Sequence, residues 1–67
     1  MLTVQNALNN FEETPLGYVR MIKYVEAGEA VERTLDQYSS REFLDCLQKQ
    51  CSAYYMIGEY KYIVYKD

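Results

Sequence analysis

Eight of the 67 residues are tyrosines, and five of them fall within the last fourteen positions: Tyr54, Tyr55, Tyr60, Tyr62 and Tyr65. A tyrosine carries an apolar ring and a polar tip, which suits half-buried sheet faces and contact surfaces. Lys61 and Lys66 are interleaved with these rings, a composition used by stacking platforms for single-stranded nucleic acid. Glu59 and Asp67 flank the run and the chain has a net charge of −3, which opposes that reading. The chemistry expected of Tyr54, Tyr55, Tyr60, Lys61, Tyr62 and Tyr65 is therefore adhesive, an interaction surface, with nucleic acid as the weaker alternative.

Other reactive side chains are sparse. The chain has no histidine, the commonest general base and nitrogen metal ligand. No Ser-His or Cys-His nucleophile pair can form. Two cysteines, Cys46 and Cys51, cannot make an ordinary zinc site without histidine. On one helix their spacing would set them about 140° apart, so they read as small core or boundary thiols in a reducing compartment. The glycines Gly17, Gly28 and Gly58 are isolated, so no phosphate-cradling loop is present. Glu26, Glu29, Glu32 and Asp36 would share a face if their segment were helical and could then meet a cation or a basic partner. A solvated surface is the simpler expectation for them, and for Glu12 and Glu13. No catalytic residue, cofactor or metal is expected, and the chain is expected not to be an enzyme.

The elements that must position these residues can be read from periodicity. Val4, Ala7, Leu8 and Phe11 recur at helical spacing, with Thr3 as N-cap and Pro15 beyond the end. Tyr18 to Val25 reads as a strand. It puts Val19, Met21 and Val25 on one face around Lys23, and Tyr18, Ile22 and Tyr24 on the other around Arg20. Glu26 to Glu29 reads as a turn, since Gly28 can take positive φ. Ala30 to Leu35 is expected to complete a hairpin, with Lys23 near Glu32; an amphipathic helix is the alternative.

Ser39 opens the clearest helix. Ser39 and Glu42 form a capping box, and Tyr38 and Phe43 a hydrophobic staple. Phe43, Leu44, Leu47 and Cys51 are its expected buried stripe. Arg41–Asp45 and Asp45–Lys49 are expected surface pairs, and the helix is expected to end between Gln50 and Ser52. A final hairpin turns at Gly58-Glu59, with Tyr60, Tyr62 and Val64 on one face and Lys61, Ile63 and Tyr65 on the other.

The expected fold is α+β: a single small domain over residues 1–67, ordered helix, β-hairpin, helix, β-hairpin. A largely antiparallel sheet would have both helices on one face. The core of a 67-residue chain supplies at most roughly 3–5 kcal/mol unless something staples it. No apolar run approaches the roughly 18 residues of a membrane span, and Met1–Asn6 lacks the features of a secretory signal. Basic residues are scattered, so duplex binding by phosphate neutralisation is not expected. The resulting expectation is a cytoplasmic, non-enzymatic protein-interaction module, an accessory or regulatory protein. Single-stranded nucleic-acid binding through the tyrosine face, or a structural homodimer, are the alternatives.

Overall fold

The computed structural model describes residues 1–11, 13–25 and 28–67. In chain order the elements are helix α1 (Val4–Asn9), strands β1 (Val19–Tyr24) and β2 (Ala30–Thr34), helix α2 (Ser40–Leu47), and strands β3 (Gln50–Ile57) and β4 (Tyr60–Lys66). Short 3-10 turns at Leu16–Tyr18 and Leu35–Gln37 lead into β1 and towards α2. The α+β order read from the sequence is the order observed, and Ala30–Thr34 is a strand.

The four strands make one mixed sheet in the order β2-β1-β4-β3. Both hairpins are antiparallel, and the two central strands, β1 and β4, run parallel. Alternation then decides what each face carries. Val19 and Met21 of β1 and Ile63 and Tyr65 of β4 point to one face and are buried there. Val4 and Ala7 of α1 and Phe11 just beyond its end, with Leu35 and Cys46, close over them. The core thus lies between that face and the two helices.

Local signals fix the helix starts. The Thr3 hydroxyl accepts from Asn6 N–H at 3.2 Å, and Asn6 Oδ1 accepts from Thr3 N–H at 3.1 Å. At α2 the Ser39 hydroxyl accepts from Glu42 N–H at 3.2 Å, and Glu42 Oε1 accepts from Ser39 N–H at 3.0 Å. Glu42 also accepts from Arg33 Nη1 at 3.1 Å through its other oxygen. The Ser39 amide first, and then the Arg33 guanidinium, hold the Glu42 carboxyl well below its ordinary value, at about 2. A depressed folded pKa stabilises the fold above the ordinary carboxylate value of 4.5, and that contribution is lost as pH falls toward about 2. Glu42→Gln keeps the cap geometry without the charge. Its melting temperature should therefore fall less steeply than the wild type's between about pH 5 and about pH 2. Parallel slopes in thermal melts would remove Glu42 from the acid sensitivity.

Several details depart from the sequence reading. Lys23 stands opposite Val31, and Glu32 stands opposite Ile22 on the other face. Lys23 instead pairs with Asp67 Oδ2 at 3.6 Å, because parallel β4 brings the chain's last residue alongside it. Helix α2 stops at Leu47, earlier than expected, and Cys51 belongs to β3. The buried α2 residue is Cys46, with Phe43 and Leu47 half-buried, while Leu44 is 61% exposed. Neither Arg41–Asp45 nor Asp45–Lys49 is paired among the described residues; Lys49 reaches Asp67 Oδ1 at 3.5 Å. The Glu29, Glu32 and Asp36 carboxylates share no helical face, since Glu32 lies in β2 and Asp36 in the following turn. Glu12, Glu26 and Ala27 lie outside the described residues, so the Glu12–Glu13 pair, the Glu26–Glu29 turn and the Glu26 part of the acidic stripe are described only at Glu13, Gly28 and Glu29. Gly28 does have positive φ, 77°, and Val25 N–H bonds Glu29 O at 3.0 Å across the hairpin end.

Candidate functional site: the open face of the sheet

The second face of the sheet has no layer over it. Its residues are Ala30, Glu32 and Thr34 of β2, Arg20, Ile22 and Tyr24 of β1, Tyr60, Tyr62, Val64 and Lys66 of β4, and Ala53, Tyr55 and Ile57 of β3. None of these is buried. The face exists because the apolar stripes of both helices are spent on the opposite side, leaving nothing in this chain's described residues to cover it.

The aromatic side chains there are ordered against one another. Tyr55 and Tyr62 are directly opposite across the β3/β4 ladder, and their rings stack with centroids 5.2 Å apart at 6°. Tyr18, from the 3-10 turn before β1, stacks on Tyr60 at 5.4 Å and 24°. The Arg20 guanidinium carbon lies 4.6 Å from the Tyr60 centroid, a cation–π contact. Ile57, 59% exposed, and Tyr24, 43% exposed, extend the surface to either side. Gly58, with φ of 60°, makes the two-residue turn that holds Ile57 and Tyr60 opposite each other.

The six residues singled out by sequence divide between the two faces. Tyr55, Tyr60 and Tyr62 lie together on the open face. Lys61, Tyr54 and Tyr65 alternate to the helix side. Tyr54 packs edge-on against Phe11 at 5.5 Å and remains 38% exposed at the sheet margin. Lys61 is half-buried. Tyr65 does not belong to any exposed surface: it is 3% exposed, and its hydroxyl meets the Tyr38 hydroxyl at 2.9 Å. Sequence reasoning missed Tyr18 and Arg20 as members of the site. The signal was present, since Tyr18, Ile22 and Tyr24 share a face around Arg20. Joining them to Tyr60 and Tyr62 needs the parallel β1/β4 pairing, which no local pattern encodes.

The helix side offers the remaining chemistry. Arg33, stacked 4.4 Å over the Tyr38 ring, Glu42, Lys49, Lys23 and Asp67 surround the Tyr38–Tyr65 pair. Cations and carboxylates there are matched as ion pairs. Burial pushes the Tyr65 phenol up, and hydrogen bonding to Tyr38 adds to this. Burial pushes the Cys46 thiol up to about 11, with Asp45 and Glu42 adding to it, and burial likewise raises Cys51. Each shift favours the protonated form, the reverse of an activated nucleophile. Both cysteines are free. Among the described residues no group of three or more potential metal ligands is found, and no helix is long and apolar enough to cross a membrane.

The fold and this face together define a small α+β domain that presents an uncovered aromatic sheet surface. Comparison with protein-family models, with curated proteins and with solved structures finds no match for the chain.

Proposed function

We propose that the chain is a non-catalytic protein-interaction module that binds a protein partner through the open sheet face. One observation carries this reading. Two stacked tyrosine pairs, Tyr18–Tyr60 and Tyr55–Tyr62, stand on an uncovered four-stranded face, with Arg20 seated on one of the rings. Tyrosine and arginine are among the side chains most enriched among interface anchors. Rings already packed against one another lose little freedom on docking, which lowers the cost of binding.

The same aromatic platform, centred on β4, favours single-stranded nucleic acid as the second reading. One feature weighs against it. The open face carries two cations, Arg20 and Lys66, beside Glu32 on a chain of net charge −3, too few positive groups to form a funnel for phosphates.

Tyr60→Ala combined with Tyr62→Ala tests the proposal. Each ring is half-exposed, so the pair should cost about 1–2 kcal/mol of stability and leave a folded chain. Capture of a specific protein from the source cells by the immobilised chain should be lost, and should survive a control change at Leu44 on the other side. Capture should also persist at high salt. Retention of the partner by the double variant, or salt-sensitive capture of an oligonucleotide in its place, would overturn the reading.

A further inference from the structure

The sheet has two edges, and they are built differently. Strand β2 presents Ala30-Val31-Glu32-Arg33-Thr34, where the charged pair discourages pairing with another strand. Strand β3 presents Gln50-Cys51-Ser52-Ala53-Tyr54-Tyr55-Met56-Ile57, eight residues without a charge, and from Ala53 to Ile57 every one of them is exposed. A long, apolar, uncharged edge is a template for a further strand.

The register shows which backbone groups are free. The Gly58-Glu59 turn closes on Ile57 opposite Tyr60, so that pair is hydrogen-bonded, as are Tyr55–Tyr62 and Ala53–Val64 two and four residues on. Between them, Tyr54 and Met56 aim their N–H and C=O groups outward from the sheet. The start of the same edge is already occupied. Cys51 N–H bonds Leu2 O at 2.9 Å, and Thr3 bridges to Gln50.

The geometry points to a two-fold antiparallel dimer of this chain, formed by the outer edge of β3 with Tyr55 of one copy opposite Tyr55 of the other. In that register Tyr54 of each copy exchanges both backbone bonds with Met56 of the second copy, and all the outward groups of both residues are satisfied. Shifting the register by two residues in either direction would require the Ser52 bulge or the Gly58 turn to replace one of those partners. The incoming strand ends at its Ile57, opposite Ala53, short of the Cys51 amide that the N-terminal segment has taken. Each Tyr54 ring meets a Met56 thioether, a favourable sulfur–aromatic contact. On the open face, Tyr55 meets Tyr55 and extends the Tyr55–Tyr62 stack into a row of four rings. The two sheets become one eight-stranded sheet. The open face stays uncovered, so this assembly stands apart from the partner binding proposed above.

Sedimentation of the wild type from micromolar to millimolar concentration should show mass rising from one copy to two. Met56→Pro removes an outward N–H without touching the β3/β4 ladder, a substitution edge strands tolerate, and should remain monomeric with a cooperative melt. Tyr55→Lys sets like charges directly opposite and should also remain monomeric, while mixing it with Tyr55→Glu should restore a heterodimer. Directly opposed residues of this kind lie about 4.5 Å apart at Cα. Tyr55→Cys should therefore crosslink to itself on oxidation, and Ile57→Cys, opposite Ala53, should not. Tyr60→Ala, whose ring stacks on Tyr18 outside that row, should stay dimeric even where it loses its protein partner. A wild type monomeric throughout, a folded Met56→Pro that still dimerises, absence of charge-swap rescue, or crosslinking at Ile57→Cys in preference to Tyr55→Cys would each overturn the proposal.

Discussion

Ile63→Ala is expected to leave most of the chain unfolded at physiological temperature. Ile63 is fully buried on a central strand, opposite Met21 of β1 on one side and Tyr54 of β3 on the other. Truncating a buried isoleucine to alanine costs about 2–5 kcal/mol through lost transfer energy and the cavity left behind. A core of this size supplies at most roughly 3–5 kcal/mol, so one such substitution removes most of it. Ile63→Val removes a single methylene and should cost about 0.5–1.5 kcal/mol. In urea titrations the valine variant should show a lower midpoint with an unchanged slope, and the alanine variant little or no folded baseline. A wild-type-like midpoint for Ile63→Ala would mean that the helices cover the other face.

How much of this was legible depends on how far apart the interacting residues are. The Ser39–Glu42 box and the Gly58-Glu59 turn are contained within four residues, and both form as read. The division of β4 into Tyr60, Tyr62 and Val64 against Lys61, Ile63 and Tyr65 follows from alternation alone, and it too holds. Ala30–Thr34 could have been strand or helix by pattern. The ladder with β1, from Arg20–Thr34 to Tyr24–Ala30, makes it a strand, and that ladder is a property of two segments.

Elsewhere, local reading met tertiary structure and lost. The stripe Phe43, Leu44, Leu47 and Cys51 assumed a helix running past Gln50. The chain instead leaves α2 after eight residues, caps at Gln48 and enters β3 through Gln50. The face that α2 buries centres on Cys46, with Phe43 and Leu47 partly buried beside it, and Leu44 is left outside. Leu47 is half-buried, so Leu47→Ala should cost less than the loss of a fully enclosed leucine. Cys51 reaches the core by a different route, through a β3 strand irregular between Cys51 and Ala53, and its thiol donates to Ala53 O at 3.3 Å. No periodicity announces such a bulge, because it is defined by the partner strand's count. The parallel β1/β4 pairing is the least local feature of all. It is also the one that assembles the candidate surface, by bringing Arg20 and Tyr18 to Tyr60.

Tyr65 separates core from surface most sharply, and its two substitutions should diverge. Tyr65→Ala should abolish folding. The ring is 3% exposed, and deleting a buried aromatic side chain costs about 3–5 kcal/mol. Tyr65→Phe keeps the ring and removes only the hydroxyl that meets Tyr38 at 2.9 Å. The partner hydroxyl sits on a half-buried residue, so the loss should be about 0.5–1.5 kcal/mol with folding retained. Partner binding and dimerisation should be untouched in Tyr65→Phe, because no part of the residue reaches the open face or the β3 edge. Calorimetry paired with the capture and sedimentation assays distinguishes the alternatives. If Tyr65→Ala folded and lost binding while Tyr60→Ala with Tyr62→Ala failed to fold, the faces would be inverted. The working surface would then be the one now assigned to the core. The opposite pattern is required by a sheet whose parallel central pair turns Met21, Ile63 and Tyr65 toward the helices and leaves Arg20, Tyr60 and Tyr62 facing out.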